Sequence, residues 1–332
     1  MIISGGGIHI PGRPLGGGGG PPPFDGNFAP LFPAALVVVQ SDRGLSYGAT
    51  LLPNAGNTST ASMALAGPTP AVPTPIWLRG LAGSVADIYY DGLGVTVGMA
   101  GVPWTNGVPI ALTGAAAGMT ITPSAGTLVA GETWKATCAQ LADQTANGKH
   151  YVAGAPAEQF LVGSFAGGLC LDSDAIDDHM VSTVALPPAG FFYYSIFQAL
   201  ARGAGFGAYF GSGPRTGELQ TSTGAAASLF MFSGSAVLGS NVAMPASFCR
   251  VYCAYTGTAA DQLKCGSNAP LTGTNTGSGF SSDASIGAFP VGANAAKMRL
   301  VLHVISTGAL SPAQIAAIDA AVTTKYGASV QV

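Results

Sequence analysis

Short runs of β-favouring residues, separated by glycine and proline, fill almost all of this chain and constrain its fold more than any other feature. Glycine accounts for 49 and proline for 23 of the 332 residues, and neither residue is favoured inside helices or central strands. Because 48% of the residues are hydrophobic, the chain can bury a core, and the composition is not that of a disordered protein. The pattern predicts an all-β fold made of short strands and tight turns.

One stretch near the end of the chain departs from this pattern and predicts a helix. Ser311 is a suitable N-cap, Gln314 completes a capping box, and Pro312 fits the first helical position. Gly327 can adopt the left-handed conformation that ends a helix. Apolar residues recur every three or four positions and form one face: Ile315, Ile318, Val322 and Tyr326. This face must pack on a sheet or on another chain.

The end of the chain also resembles a known family. The strand over residues 299–305, the Leu-Ser-Pro-Ala-Gln-Ile sequence at 310–315 and the Lys-Tyr-Gly sequence at 325–327 resemble the close of concanavalin A-like or laminin-G-like jelly-roll domains of phage virion proteins. Residues 165–172, with 177–181 behind them, resemble the opening strand and acidic turn of the same domains. The resemblance covers roughly residues 160–327 and implies a jelly roll closed by one helix.

Composition divides the chain into four segments. Residues 1–30 are rich in glycine and proline, and we expect an arm that anchors the chain on a neighbouring subunit; a flexible spacer is the alternative. Residues 31–141 are predicted to form a β-sandwich, within which 113–134 resemble a module of phage tail and virion proteins. Residues 142–159 are polar and predict a linker, and 160–332 are the expected jelly roll. The arm carries one short apolar patch: Ile8, His9, Ile10 and Pro11.

Charge and hydropathy exclude two classes of partner. A net charge of −3 offers no basic face for nucleic acid. The longest strongly apolar run, residues 31–39, is interrupted by Pro33 and too short to span a membrane. The first residues lack the pattern of a signal peptide, so synthesis in the host cytoplasm is expected. Only 8% of the residues are charged, which suits a subunit fixed in an assembly.

The five cysteines are an odd number and do not form the even pattern of a secreted disulfide scaffold. Cys249 and Cys253 share one face of a predicted strand but lie too far apart to bridge each other. Cys253 could pair with Cys265 across a hairpin. We expect mostly reduced and buried thiols.

The densest group of ionisable residues follows the first predicted jelly-roll strand: Asp172, Asp174, Asp177, Asp178 and His179. Clustered carboxylates are suited to Ca²⁺, although the spacing is not that of an EF-hand loop. The alternative is an acidic turn with a purely structural role. Apart from this calcium alternative, no cofactor is expected.

Catalytic patterns are scarce. The chain has three Glu residues, none paired with another acid in a strand, so the two flanking carboxylates of a glycosidase could come only from the acidic turn. No Gly-x-Ser-x-Gly motif is present, the four His residues are scattered, and His303 lies within an apolar strand, as a core or interface residue would. Trp77, Trp104 and Trp134 are expected to pack in the core and in turns, and a platform for stacking sugars is the alternative. We therefore predict that the chain is not an enzyme.

The resemblance implies a structural protein of a phage virion surface. The leading hypothesis is a tail-associated or fibre-like protein that is attached by its arm and first domain and presents the jelly roll to host glycan. Tyr209, Asn275 and Phe280 are the candidate glycan-binding residues. The alternatives are a head decoration or cement protein without sugar binding, and a polysaccharide depolymerase. Other virion proteins and further copies of the chain are the expected partners.

Overall fold

The computed structural model describes residues 24–174, 176–187, 189–202, 207–212, 218–221, 228–233, 236–237, 242–257, 261–273, 283–288 and 295–332. Within these residues the protein is all-β with one α-helix near its end, as the sequence predicts. That helix is neither long nor apolar enough to cross a lipid bilayer.

The strands are short and follow one another closely along the chain. The first ten are β1 (Ala35–Gln40), β2 (Leu45–Pro53), β3 (Met63–Ala66), β4 (Trp77–Leu81), β5 (Val85–Tyr89), β6 (Val97–Pro103), β7 (Ile110–Ala111), β8 (Thr120–Pro123), β9 (Thr133–Leu141) and β10 (Tyr151–Val152). The next eight are β11 (Phe160–Phe165), β12 (Gly168–Asp172), β13 (Met180–Ser182), β14 (Phe191–Arg202), β15 (Gly207–Ser212), β16 (Glu218–Thr221), β17 (Ser228–Ser233) and β18 (Ala236–Val237). The remainder are β19 (Val242–Ala243), β20 (Phe248–Tyr255), β21 (Asp261–Cys265), β22 (Leu271–Gly273), β23 (Ala284–Ile286), β24 (Ala296–Thr307), helix α1 (Pro312–Tyr326) and β25 (Val330–Gln331).

The first domain is a β-sandwich built from β2 to β9. Its strands pair in the order β7-β8-β3-β2-β9-β4-β5-β6, and all of these pairings are antiparallel. They enclose one apolar core that includes Leu51, Ile88 and Ile121. Trp134 and Trp104 are buried in it, at 1% and 8% exposure, so core packing is confirmed for these two tryptophans.

The second domain is a sandwich of two sheets. In one sheet β24 pairs with β14 along one edge and with β1 and β12 along the other, and β20 and β21 follow β14. The other sheet runs β10-β13-β23-β15-β16-β17. Strand β14 shows how the layers separate: Phe191 and Tyr193 point into the core between the sheets, while Phe192 and Tyr194 point to the outer face.

Two of the predicted domain boundaries need correction. Strand β1, assigned to the first domain, pairs with β24, with Val38 opposite Val304. The predicted linker 142–159 contains β10, which pairs with β9 and β13. In the same segment, the carboxylate of Asp143 accepts a hydrogen bond from the backbone N–H of Val38. The run of valines in β1 predicts a buried strand. The sheet that this strand joins depends on long-range pairing, which the run does not reveal.

Helix α1 has the predicted ends and the predicted face. Ser311 caps it by accepting a hydrogen bond from the Gln314 N–H, and Gly327 ends it at a φ of 57°. Ile318, Val322 and Tyr326 are buried against the outer face of β14, β20 and β24. The helix therefore covers a sheet of its own chain, which was one of the two expected ways to bury its apolar face.

Candidate functional site

The structure corrects one of the glycan-binding candidates. Tyr209 is only 1% exposed, and its ring packs against Phe197 at 5.1 Å between centroids. A sugar cannot stack on this ring, because both it and the neighbouring Phe210 lie in the core between the sheets. Asn275 and Phe280 lie outside the described residues.

Most of the arm falls outside the described part as well. The patch of Ile8, His9, Ile10 and Pro11 belongs to residues 1–23, for which no structure is described. The described part of the arm starts at Phe24, whose ring packs edge-on against Phe28 at 5.0 Å. Phe28 in turn stacks on Tyr326 of helix α1, so the end of the arm packs on the outer face of the second domain of its own chain.

The acidic turn between β12 and β13 gathers three of the four predicted carboxylates. One oxygen each of Asp174, Asp177 and Asp178 lies within 4.8 Å of the others. Asp172 does not join them, because its carboxylate accepts a hydrogen bond from Nε of Arg299 at 2.9 Å. The sequence spacing could not show this difference, since the partner of Asp172 comes from a distant strand.

Burial gives the three carboxylates of the turn different properties. Asp174 is exposed, Asp177 is half-buried, and Asp178 is only 3% exposed. Burial, with the nearby charge of Asp174, raises the pKa of Asp178 to about 8. The Asp178 carboxyl therefore keeps its proton at neutral pH and accepts a hydrogen bond from the Asp174 N–H at 2.8 Å.

This arrangement permits two kinds of chemistry. A divalent cation could replace the proton and be held by carboxylate oxygens from the three residues, which are the ligands that Ca²⁺ prefers. A protonated carboxyl beside an ionised one is also the arrangement that acid–base catalysis uses. His179 follows these carboxylates in the chain, and its Nδ1 lies 2.8 Å from the carbonyl oxygen of Asp177.

A second candidate site is a cleft of about 730 Å³ where the two domains meet, called here the interdomain cleft. The first domain contributes an apolar wall. Its most accessible side chains are Val72 and Leu93, which are 75% and 63% exposed. The full lining is Asp42, Val72, Pro73, Pro75, Tyr90, Asp91, Leu93, Ser164, Phe165, Ala166, Gly168, Leu169 and Arg299. No local sequence motif predicts this cleft, because its residues come from five separate parts of the chain.

Polar groups of the cleft are held in fixed positions. The Asp91 carboxylate accepts hydrogen bonds from four backbone N–H groups, of residues 93–96. Its backbone carbonyl accepts one from the Ser164 hydroxyl, which ties the first domain to β11. Asp42 forms an ion pair with Lys325 at 2.7 Å. Arg299 donates to Asp172 and to the carbonyl oxygen of Ser164. The cleft thus combines an apolar wall with preorganised carboxylates and a guanidinium group.

His303 has the core location that its apolar strand indicates. Its Nδ1 lies 2.9 Å from the Ser195 hydroxyl, and its ring stacks on Phe210 at 4.2 Å. Burial lowers the pKa of His303 to about 3, so the ring is neutral at physiological pH. The pair is fully enclosed, so a solute in the solvent has no route to it in this conformation.

Comparison with known proteins returns structures but no sequence family: neither a family model nor a curated protein matches the chain. One similar structure is an arabinofuranosidase complexed with arabinofuranosyl-alpha-1,2-xylobiose, at 11% identity and a TM-score of 0.47, with 62% of this chain and 57% of that chain covered. Another is a mutant GH54 α-L-arabinofuranosidase soaked with 4-nitrophenyl α-L-arabinofuranoside, at 8% identity and a TM-score of 0.48, with 88% and 63% covered. The chain therefore spans less than two thirds of the length of each.

These matches overturn one prediction. Both structures are named as arabinofuranosidases, which contradicts the prediction that the chain is not an enzyme, and we withdraw that prediction. The scarcity of Glu on which it rested was a weak criterion, since Asp residues can serve as the paired carboxylates. At identities of 8% and 11% and TM-scores below 0.5, the likeness transfers neither a substrate nor a catalytic residue to this chain.

Proposed function

We propose that this chain is a structural protein of a phage virion surface, tail-associated or fibre-like, that binds host glycan in the interdomain cleft. The arm and the first domain attach it to other virion proteins, and the second domain faces outward. The sequence resemblance over residues 160–327 supports the virion assignment. The observation that carries the glycan assignment is the lining of the cleft.

Sugars present apolar C–H faces and hydroxyl groups that both donate and accept hydrogen bonds. A site for them combines apolar or aromatic surface with a few fixed polar groups. In the cleft the apolar part comes from Val72, Leu93 and the ring of Phe165, and the polar part from Asp42 and Arg299. Backbone and ion-pair contacts already hold these polar groups in place, which lowers the entropy cost of binding a ligand.

A filled cleft tests the glycan assignment. In Val72→Trp a bulky ring replaces a side chain that is 75% exposed on the cleft wall, so the fold is expected to survive. Val108→Trp is the matched control, because Val108 is 51% exposed on the same domain and does not line the cleft. On an array of bacterial surface glycans, we expect wild type and Val108→Trp to retain the same glycans and Val72→Trp to lose at least about tenfold in affinity. Equal retention by both variants would place the sugar elsewhere, and no retention by any of them would reject glycan binding.

The virion assignment has its own test, the copy number and position of the chain in purified particles. A few copies at the tail fit the attachment protein proposed here. Hundreds of copies over the shell would favour a head decoration protein, and absence from particles would reject both.

One observation favours a second function, cleavage of the polysaccharide. Asp178 holds a proton at neutral pH, and one carboxyl oxygen of Asp174 lies within 4.8 Å of one of its own; glycoside hydrolysis also uses two acidic side chains, one of them protonated. Release of reducing sugar by the wild type and by Asp172→Asn, but not by Asp178→Asn, would establish a depolymerase. Asp172 serves as the control because it is tied to Arg299 outside the turn. Equal release by all three proteins would exclude Asp178 as the acid.

A further inference from the structure

Two buried thiols meet at the edge of the second domain. Sγ of Cys249 and Sγ of Cys265 lie 3.3 Å apart, and both residues are 0% exposed. The two atoms are thus already within van der Waals contact, whereas a disulfide requires about 2.05 Å. The sulfurs need to approach by little more than 1 Å, which small side-chain rotations can supply.

Strand register explains why this pair meets. Cys265 stands opposite Val251, so Cys249 and Cys253 are its two diagonal neighbours, one on each side. All three cysteines point into the core between the sheets. The right-handed twist of a sheet brings one diagonal closer than the other, and here that diagonal leads to Cys249. Of the two diagonal neighbours, Cys249 and not Cys253 is therefore the one whose sulfur contacts Cys265.

The other cysteines have separate surroundings. The thiol of Cys138 donates to the carbonyl oxygen of Gln140, and the thiol of Cys170 donates to Asp172. Cys253 lies across from Leu263, on the far side of Val251. Among the described residues, Cys249 and Cys265 are the two cysteines whose sulfurs contact each other.

We propose that Cys249 and Cys265 are an oxidation site that forms a disulfide between β20 and β21 when the folded protein meets hydrogen peroxide. One thiol attacks the peroxide: an S–O bond forms, the O–O bond breaks, and one water leaves. The second sulfur then attacks the first, the S–S bond forms, the S–O bond breaks, and a second water carries away the remaining thiol proton. Two thiols are oxidised and one peroxide is reduced to two waters.

Access to the pair comes from the turn that follows β21. Cys265 is the last residue of that strand; Gly266 after it is buried, and residues 267–270 are exposed. The pair also lies beside β25, since Cys249 pairs with Gln331 in parallel register. The hydrogen bond with Cys265, together with burial, raises the pKa of the Cys249 thiol, so the reaction is expected to be slow and to follow local opening of this edge. The inference does not depend on the proposed function.

Peptide mapping of the full-length wild-type protein is the direct test. After incubation with hydrogen peroxide under native conditions, remaining thiols are alkylated in denaturant and the protein is digested without reductant. We expect one cross-linked pair of peptides, containing Cys249 and Cys265, that separates on reduction. A link from Cys265 to Cys253, or sulfinic and sulfonic acids without any link, would overturn the proposal.

Three variants add a second readout. Because the bridge would close a loop of 249–265, oxidation is expected to raise the Tm of the wild type by about 5 °C or more. Cys253→Ser is the matched control, since this residue is equally buried on the same face of the same strand, and it should keep the shift. Cys249→Ala and Cys265→Ala should lose it. A shift that persists in both alanine variants would refute the assignment, whatever their starting stability.

Discussion

The ion pair beneath helix α1 gives the most quantitative prediction. Asp319 accepts hydrogen bonds from Nε and Nη2 of Arg250, at 3.2 and 2.9 Å, and from the hydroxyl of Tyr194 at 2.8 Å. The Arg250 side chain is 1% exposed and that of Asp319 is 17% exposed. Asp319→Ala would leave a guanidinium buried without its counter-charge, and loss of one partner of such a pair costs about 3–5 kcal/mol of unfolding free energy.

A second ion pair provides the control. Arg299 and Asp172 also approach to 2.9 Å, but their side chains are 22% and 32% exposed. Solvent screens this pair, so Asp172→Ala should cost no more than about 1 kcal/mol. If burial is the reason for the difference, replacing the whole buried group by Arg250→Met, Asp319→Leu and Tyr194→Phe should recover most of the stability lost in Asp319→Ala.

Urea unfolding followed by circular dichroism measures all four proteins. We expect Asp319→Ala to be less stable than Asp172→Ala by at least about 2 kcal/mol. Equal losses in the two single variants would refute the argument from burial. A triple variant no more stable than Asp319→Ala would show that the pair itself, and not the orphaned charge, holds the helix.

Two further predictions concern pH. The unfolded chain takes up a proton on His303 near pH 6.5, whereas folding lowers its pKa to about 3; the free energy of unfolding should therefore fall as pH drops through this window, by up to about 1.4 kcal/mol per unit. In urea titrations between pH 7 and 4, the free energy of unfolding of His303→Gln should fall less steeply than that of the wild type. An equally steep fall in both proteins would count against this reasoning. For Asp178 the pH dependence has the opposite sign. Folding raises its pKa to about 8, so its contribution to the free energy of unfolding is present below about pH 4 and is lost as pH rises to 8. Asp178→Asn should consequently be more stable than wild type at pH 8, and calcium that raises the Tm of the wild type but not of Asp178→Asn would favour a metal site over a structural turn.

Local chemistry explains which parts of this fold could be predicted. Helix α1 follows from contacts among near neighbours, such as Ser311 with Gln314, and these are visible in the sequence. Strand β2 was not predicted. Gly48 interrupts its apolar residues, and the pairing of this strand with β9 shifts register between Tyr47 and Leu51, which breaks the alternation that marks a strand.

Long-range pairing explains the rest. A short run such as that around Tyr209 indicates a strand but not whether another layer covers it, and the burial of this ring was therefore mispredicted. The acidic turn could be predicted as a group because its members are neighbours in sequence. The exclusion of Asp172 depends on Arg299, and the meeting of Cys249 with Cys265 depends on strand twist, neither of which the spacing reveals.

The place of β1 has a consequence for how the protein is made. Its partner β24 emerges from the ribosome only after the whole first domain and most of the second have been synthesised. All strands of the first domain lie within residues 45–141, so this domain can fold while translation continues. Until β24 arrives, the valine-rich β1 has an unpaired edge of the kind that promotes aggregation. The first domain lies in sequence between β1 and the rest of the second domain. Because it folds early, it separates β1 from the part of the chain that is still being synthesised.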